Sequence, residues 1–369
     1  MRIAILGLAL TSSWGNGHAT TYRALMKALC ARGHDVLFLE RDVPWYAENR
    51  DLPQPPYGSV ALYESVAELR TSYAAEIESA DLVIIGSYVP DGIAVADLVH
   101  GLATGVTAFY DIDTPVTLAR LDAGQVDYIS RTQIPRYDLY LSFTGGPILE
   151  RLRVEFGAPR PRPLYCSVDC EAYYPDASVR PQHDLGYLGT YSPDRQPALQ
   201  RLLLEPAARW PHGRFVVAGP QYPEAVRWPS NVERIEHLSP AEHRLFYNRL
   251  RYTLNVTRGD MVRAGYSPSV RLFEAAACGT PIVSDVWAGI DEFFAPGVEI
   301  LLARDSGEAL SFIRDLPERD RCAIADRARQ KVIREHSAVV RARELEEYVA
   351  EAGGLPAAAA QSASQAVPS

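Results

Sequence analysis

The segment 266–281, YSPSVRLFEAAACGTP, combines residue types that could bind an anion at the start of a helix. Ser267 is a favourable N-cap and Pro268 suits the first helical position, so the pattern predicts a helix that begins here. The backbone N–H groups of Ser269 and Val270 would then be free to point at an anion in front of the helix.

Glu274 follows on the same predicted helix, among neighbours that are otherwise apolar. Gly279 and Pro281 are typical of a helix end before a strand. A carboxylate in apolar surroundings is costly unless a polar group pairs with it. A phosphate at the helix start and a sugar hydroxyl at Glu274 would satisfy both features, so the pattern predicts a nucleotide-sugar site. A salt bridge between Arg271 and Glu274, one helical turn apart, is the structural alternative.

The segment resembles the donor-binding helix of GT-B glycosyltransferases, particularly the CgeB-like, spore-maturation branch. It is also similar to the glycosyl transferase group 1 family, whose pattern is E-x7-E-A-x-A-x-G-x-P. The matching positions are Glu274, Ala275, Ala277, Gly279 and Pro281. Tyr266 stands where that pattern has its first Glu, so the family's carboxylate contact with the donor sugar is not carried over. The resemblance implies a GT-B fold with two Rossmann-like α/β domains whose parallel sheets face a central cleft, and a hexosyltransferase type of enzyme.

Length, charge and cysteine content limit the classes of function. A chain of 369 residues suits two domains. The net charge of −9 argues against nucleic acid or an anionic membrane as the main partner. Five cysteines without paired spacing predict neither a disulfide framework nor a zinc site, which favours the cytoplasm. The apolar opening MRIAILGLAL fits a buried first strand, and no window predicts a transmembrane segment. Peripheral membrane contact and a homodimer are left open.

Alternating strand and helix patterns predict parallel sheets in both halves. The predicted strands are 2–6, 36–39, 82–85, 106–110 and 139–143, then 185–188, 214–218, 232–235, 252–256, 281–284 and 299–302. We predict an N-terminal acceptor-binding domain over 1–166, a linker over 167–183 and a donor domain over 184–330. By resemblance, a helix over 331–352 packs back on the first domain. Residues 353–369 have too little hydrophobic content to order themselves.

Unusual polar residues follow the predicted strands in both halves, where open parallel sheets bind ligands. In the first half, His18 comes after Gly15, Asn16 and Gly17 and opens a helix. It could act as a base, polarise an acceptor or contact a phosphate, with a structural role as the alternative. The glycines Gly15 and Gly17 permit close backbone approach, so this loop is predicted to lie on the acceptor side.

Asp111 and Asp113 stand two residues apart in the segment YDIDTP. In an extended segment both side chains would point to the same face. One could serve the acceptor as a base or positioning group while the other orients a loop amide. For Asp113, which precedes Thr114 and Pro115, a helix N-cap is the structural alternative.

Arg195, Arg258 and Arg271 are the candidate cations in the second half. Sugar transfer leaves negative charge on the departing nucleotide, and fixed cations there stabilise the transition state. The loop GTYSPDR, with Gly189, Thr190 and Arg195, resembles the family loop that bears a diphosphate-contacting cation. By position, His237 corresponds to the stretch that binds the nucleotide base in the resembling enzymes.

The predicted activity is transfer of a sugar from a nucleoside diphosphate sugar to a saccharide, lipid-linked or small-molecule acceptor. The D-x-D pattern at 111–113 lies in the N-terminal half, away from the donor helix. We therefore predict no metal and no cofactor, and the second Glu of the pattern mildly favours retention of configuration. The alternatives are a sugar-nucleotide epimerase of the same fold and a non-catalytic sugar-nucleotide-binding protein. A dinucleotide oxidoreductase is suggested only by Glu40 at the end of the second strand, because the first loop is not G-x-G-x-x-G.

Overall fold

The computed structural model describes residues 1–14 and 17–353. Gly15, Asn16 and the predicted tail beyond Gly353 lie outside the described residues. The chain divides into two compact units. Unit 1 comprises Met1–Tyr165 and the chain from Ala338 onward, and unit 2 comprises Cys166–Ser337. The segment 167–183, predicted as a linker, therefore belongs to unit 2.

Unit 1 alternates strands and helices from its first residues. Its elements are β1 (Arg2–Gly7), α1 (His18–Ala31), β2 (Asp35–Arg41), α2 (Pro44–Ala47), β3 (Ser59–Tyr63), α3 (Val66–Ser72), α4 (Ala74–Glu78), β4 (Leu82–Gly86), α5 (Gly92–Leu102), β5 (Val106–Asp111), α6 (Thr114–Asp122), a 3-10 turn (Ile134–Arg136), β6 (Leu139–Ser142), α7 (Pro147–Glu155) and β7 (Pro161–Pro163).

The seven strands form a parallel sheet in the order β3-β2-β1-β4-β5-β6-β7. The central strands β4 and β5 are buried along their whole length, as their apolar sequences predict. The sequence did not reveal β3 and β7. Both are edge strands, and β3 is half-exposed while β7 has a proline at each end, so neither has the apolar run of a central strand.

Unit 2 repeats the same alternation. Its elements are β8 (His183–Leu188), α8 (Gln196–Leu199), a π-helical turn (Gln200–Leu204), α9 (Glu205–Arg209), β9 (Phe215–Ala218), β10 (Val232–Ile235), α10 (Pro240–Asn248), β11 (Leu250–Asn255), α11 (Gly259–Ala264), α12 (Val270–Ala277), β12 (Ile282–Ser284), α13 (Ile290–Phe293), β13 (Leu301–Leu302), α14 (Ser306–Asp315), α15 (Glu318–Lys331) and a second π-helical turn (Val332–His336).

The strands of unit 2 form a six-stranded parallel sheet in the order β10-β9-β8-β11-β12-β13. Every predicted strand of this half is present. A core of apolar side chains packs against it, including the fully buried Leu185, Tyr252 and Leu254. In both units the first strand lies beside the fourth strand of the βα series, so the order of strand addition reverses there. Such a reversal is where open α/β sheets bind ligands.

The last helix, α16 (Ala338–Gly353), packs against α1 within unit 1. Glu346 on α16 accepts two hydrogen bonds of 2.6 Å from the Arg32 guanidinium and contacts His34 Nε2, also at 2.6 Å. Burial opposes ionisation of Glu346, but these partners hold its pKa below the ordinary value. In the part of the chain that the structure describes, no helix is both long and apolar enough to cross a membrane.

Candidate active site

The polar residues of unit 2 converge where β8 and β11 end side by side. Arg271, in the first turn of α12, reaches back to this point. Its Nε donates to the carbonyl oxygen of Leu188 at 2.6 Å, and its Nη1 donates to Asn255 Oδ1 at 3.1 Å. The guanidinium also lies over the ring of Tyr187, 4.9 Å from its centroid. Its Nη2 has no acceptor among the residues that the structure describes, so it remains available to a ligand.

Helix α12 begins two residues later than the sequence predicted. Ser269, not Ser267, is its N-cap residue, and Val270 is its first helical residue. The prediction was wrong because Tyr266 has a left-handed φ of 51° and Ser267 is buried against Met261, which keeps this stretch extended. In this first turn the N–H groups without a helical acceptor are those of Ser269, Val270 and Arg271, because the N–H of Leu272 donates to the carbonyl oxygen of Ser269 at 3.1 Å.

Asn255 connects the end of β11 to the start of α12. This buried amide accepts from Ser269 Oγ at 2.8 Å and donates to Ser284 Oγ at 2.9 Å on the neighbouring strand β12. Beside it, Asp285 accepts from the N–H and hydroxyl of Thr257 at 3.0 and 2.9 Å. Burial raises the pKa of Asp285. Sequence analysis missed Asn255, although an amide that ends the apolar strand LRYTLN was a visible signal.

Arg195 lies at the N-terminal end of α8, in the loop that follows β8. Its Nη2 donates to the carbonyl oxygen of Thr190 at 2.9 Å, and its Nε is buried without an acceptor in the described part of the chain. Asp194, the residue before Arg195, accepts from the N–H of Gly259 at 2.7 Å and from the Ser192 hydroxyl. Asp194 therefore ties the loop after β8 to the loop after β11.

The pKa of Asp194 also depends on two of the predicted cations. Burial opposes its ionisation, but the hydrogen bonds from Ser192 and Gly259 and the charges of Arg195 and Arg258 hold its pKa below the ordinary value. Arg258 occupies the N-cap position of α11. A cavity of about 450 Å³ adjoins these loops and is lined in part by Asp194, Thr257 and Gly259. Its size is typical of small-molecule sites.

The backbone at Gly189 and Gly219 is closely packed. A Cβ at Gly219, whose φ is +143°, would lie 2.1 Å from the carbonyl oxygen of Gly189. Tyr222 donates to that same oxygen at 3.1 Å. Only glycine fits here, and the loop that leads to Thr190 is thereby held against the ends of β8 and β9.

Glu274 is 3% exposed, so the expectation of a buried carboxylate on α12 is confirmed. Its Oε2 accepts from the Tyr247 hydroxyl at 3.1 Å and lies 3.9 Å from His243 Nδ1. Burial and the charge of Glu274 raise the pKa of Tyr247 and of Tyr173 well above the ordinary value. A salt bridge with Arg271 is not formed in the described structure, because the Arg271 guanidinium is engaged at Leu188 and Asn255.

His237 is exposed and lies just after β10. Because β10 is the outermost strand and β9 separates it from β8, His237 is away from the cluster around Arg271. Its assignment to the nucleotide base stays a prediction.

In unit 1, His18, Tyr88 and Asp113 come together near the ends of β1, β4 and β5. His18 is the first residue of α1, after the N-cap residue Gly17, and its ring centroid lies 5.5 Å from that of Tyr88. The Tyr88 hydroxyl donates to Asp113 Oδ2 at 2.9 Å. Tyr88 has a φ of 65°, which costs energy for a residue with a side chain and is frequent at functional sites. Sequence analysis missed Tyr88 because nothing local indicates that conformation.

Asp111 is fully buried, so of the two roles predicted for this pair it has that of orienting a loop amide and not that of facing an acceptor. Its carboxylate accepts from Tyr140 at 2.6 Å and from Thr117 at 2.8 Å, and the N–H of Asp113 lies 3.3 Å away. Burial raises the pKa of Asp111 to about 6. Asp111 therefore orients the loop that presents Asp113, and Asp113 remains the acceptor-side candidate of the pair.

Glu40, the residue that suggested a dinucleotide, is also fully buried. Its Oε2 accepts from the N–H groups of Leu10 and Thr11 at 2.7 and 2.8 Å, and its Oε1 accepts from the Thr11 hydroxyl at 2.6 Å. The carboxylate is used to anchor the loop after β1 and does not offer its oxygens to a ribose. Of the described residues, no group of three or more His, Cys, Asp or Glu could hold a metal ion.

Comparisons with known proteins agree with the fold of two parallel-sheet units. Residues 195–347 match the family model described as glycosyl transferase-like. No curated protein sequence matches the chain. Among solved structures, sucrose-phosphate synthase from Thermosynechococcus elongatus is similar with a TM-score of 0.69 and 14% identity, over 95% of this chain and 99% of that one.

Two further solved structures are similar to this chain over most of its length. HepE from Anabaena, in complex with UDP and glucose, is similar with a TM-score of 0.67 and 14% identity, over 94% of this chain and 99% of that one. An alpha-glucosyltransferase in complex with UDP-glucose and DNA is similar with a TM-score of 0.69 and 13% identity, over 95% of this chain and 99% of that one. At such identities the likeness establishes the fold, and the predicted GT-B class is confirmed.

Proposed function

We propose that the chain is a GT-B glycosyltransferase that moves a sugar from a nucleoside diphosphate sugar to an acceptor. The match to the glycosyl transferase-like family and the shared fold support this activity. Nucleotide-sugar donors are supported by the similar structures that contain UDP or UDP-glucose. Unit 2 binds the donor in this proposal, and unit 1 contributes the acceptor-side groups.

The observation that carries the proposal is the cluster at the end of β8 and β11. Arg271 Nη2, the orphaned Arg195 Nε and the free amides of α12 lie on the loops and the helix start that converge there. Cations and helix N-termini stabilise negative charge, and they do so most where water is excluded. A leaving nucleoside diphosphate gains negative charge as the glycosidic bond breaks. The same groups would therefore bind the donor and stabilise the transition state.

Within unit 1, His18 and Asp113 are the candidate groups for the acceptor. Both contact Tyr88, which holds the imidazole and the carboxylate at the same sheet edge. A positioned His or Asp can take the proton of an acceptor hydroxyl as it attacks the sugar carbon. We extend the proposal to a CgeB-like hexosyltransferase of the cytoplasm that needs no metal and retains the anomeric configuration.

The donor assignment can be tested on the variant Arg271→Gln. Loss of one charge-assisted hydrogen bond costs about 1.5–3 kcal/mol, so UDP-glucose or its GDP or ADP counterpart should bind roughly ten- to hundredfold more weakly. Calorimetric titration of the full chain measures this. Arg334→Gln, which changes a side chain that is 65% exposed in the same unit and does not line the cavity beside Asp194, is the matched control. Equal donor affinity in the wild type and in Arg271→Gln would contradict the assignment of the donor site to the cluster around Arg271.

Two further measurements sharpen the proposal. Turnover of the donor should survive EDTA, and activity that is lost in EDTA and restored by Mg²⁺ would contradict metal independence.

Incubation with donor alone should leave the configuration of its sugar unchanged. A donor that is converted to its epimer without any acceptor would identify an epimerase instead.

A further inference from the structure

Unit 1 exposes two tryptophan rings in the segments that follow its first two strands. Trp45 on α2 is 60% exposed, and Trp14 in the loop after β1 is 38% exposed. Strands β1 and β2 are neighbours in the sheet, so both rings follow adjacent strand ends. Large aromatic side chains lose free energy when they remain in water, and exposed ones are typical of binding surfaces.

The two loops that bear these rings are joined by hydrogen bonds. The N–H of Leu52 donates to the carbonyl oxygen of Thr11 at 3.0 Å, and Ser12 Oγ donates to the carbonyl oxygen of Asn49 at 2.8 Å. Arg50 Nε donates to the Thr11 hydroxyl at 3.1 Å. We call this pair of loops, 10–14 and 42–52, the tryptophan platform.

Asp51 strengthens the platform. It accepts from the N–H and hydroxyl of Ser13 at 2.9 and 2.8 Å and from both terminal nitrogens of Arg23 at 2.9 and 2.7 Å. Although burial opposes its ionisation, Arg23 and Ser13 lower the pKa of Asp51 to about 2. The backbone of each tryptophan is hydrogen-bonded to a residue of these two loops. Asn49 Nδ2 donates to the carbonyl oxygen of Trp45 at 2.9 Å, and the N–H of Trp14 donates to Ser12 Oγ at 3.3 Å.

Two exposed rings and two carboxylates are therefore borne by loops that are hydrogen-bonded to each other. The Asp42 carboxylate, 35% exposed and paired with Arg50 at 2.6 Å, adds a further acceptor. Pyranose sugars have an apolar C–H face that packs on aromatic rings and a rim of hydroxyls that donate to carboxylates. We propose that the tryptophan platform binds a saccharide, which is the acceptor of the transfer. This inference rests on the proposed function.

Other occupants fit the platform less well. Duplex DNA needs several unpaired cations, but Arg23 and Arg50 are neutralised by Asp51 and Asp42, and the chain has a net charge of −9. An anionic membrane is disfavoured for the same reason. The two rings together expose about as much surface as one free tryptophan, on the order of 250 Å², whereas a stable dimer buries about 800 Å² per partner.

The proposal is tested by applying the full chain to an immobilised array of oligosaccharides. The wild type should be retained by a subset of glycans, and Trp45→Ala and Trp14→Ala should each bind that subset at least tenfold more weakly. Trp45→Tyr, which keeps an aromatic ring, should retain part of the affinity. Val154→Ala is the matched control, because Val154 is 63% exposed on α7 of the same unit but lies outside the platform.

Parallel measurements separate this proposal from the donor assignment. If UDP-glucose or another nucleotide sugar binds all variants equally but no glycan retains the wild type, the saccharide proposal is wrong and the donor proposal stands. If glycans are retained through Trp45 but no nucleotide sugar binds, the proposed transferase activity is wrong and the platform is a saccharide-binding site alone. Trp45-dependent retention of a DNA duplex or of phosphatidylglycerol vesicles, without glycan binding, would likewise overturn the proposal.

Discussion

The two units have the same strand reversal but place opposite kinds of side chain at it. In unit 2 the ends of β8 and β11 gather arginines, with Arg195 and Arg271 retaining donor groups without protein acceptors in the described structure. In unit 1 the corresponding ends of β1 and β4 lie beside a histidine, a tyrosine and a carboxylate, His18, Tyr88 and Asp113. The sheet provides the location, and the loops decide the ligand.

The buried carboxylates of the two units also differ in use. In unit 1, Glu40 accepts hydrogen bonds from the loop after β1, and Asp111 accepts them from Tyr140 on β6 and Thr117 on α6. In unit 2, Glu274 has a tyrosine hydroxyl at 3.1 Å and a histidine at 3.9 Å as its closest polar partners. An anchoring carboxylate accepts short hydrogen bonds on both of its oxygens, whereas a ligand-binding carboxylate keeps capacity for further donors. Glu274 fits the second description better.

The largest expected effect is on chemistry in unit 1. His18→Ala should lower the turnover of UDP-glucose, measured with water as acceptor, by about 10²–10⁴-fold while the affinity for the donor stays within roughly twofold. His212→Ala, at an exposed position of unit 2, is the control. If donor affinity falls while single-turnover chemistry is normal, His18 is a phosphate contact, the contrast between the units weakens, and Asp113 becomes the candidate base.

The second expected effect is on nucleotide binding by unit 2. If Glu274 accepts ribose hydroxyls, Glu274→Gln should weaken UDP or GDP binding by about 1.5–3 kcal/mol, roughly ten- to hundredfold. The melting temperature of the free protein should be unchanged or higher, because a buried carboxylate with few hydrogen-bond donors is replaced by a neutral amide. Glu224→Gln, at an exposed position, is the matched control. A lower melting temperature with normal nucleotide affinity would show that Glu274, like Asp111, is only an anchor.

An effect of similar size, on stability and not on binding, concerns the anchor Asp111. Its pKa is about 6 in the folded protein, above the ordinary Asp value, so the folded state binds the proton more tightly. Its contribution to stability is therefore present below about pH 4 and lost as the pH rises to about 6, an amount of about 2–3 kcal/mol. Asp111→Asn should remove that decline in urea unfolding, whereas Asp127→Asn, 48% exposed, should not. An identical pH profile in Asp111→Asn and wild type would contradict the assignment.

The smallest effect is expected at the C-terminus. Removal of residues 354–369, a segment rich in Ala, Ser and Gln, should leave the melting temperature and donor turnover unchanged, because that composition has little apolar surface to bury. A cooperative loss of melting temperature in the truncated chain would show that the segment is part of one of the units. The control is the full chain under the same conditions.

Local sequence patterns determined the positions of the central strands and the polar groups that follow them. Apolar β-branched runs marked the central strands, and the residues that follow them, such as His18, Asp113 and Arg195, were found because parallel strands end at one edge of a sheet. The burial of Glu274 was predictable for the same kind of reason. Its neighbours on the helix are apolar at helical spacing, so the face that carries it must pack inward.

Tertiary structure alone decided which partner each polar group takes. The Arg271 guanidinium donates to the carbonyl oxygen of Leu188, 83 residues away in the sequence, and does not form a salt bridge with Glu274, three residues away. Tyr88 and Asp113 are brought together by a left-handed turn that no local residue signals, and Asp111 faces the core although Asp113 does not. Periodicity is a property of neighbouring residues and can be predicted from them. The choice of hydrogen-bond partner depends on distances between segments that only meet when the sheet is assembled.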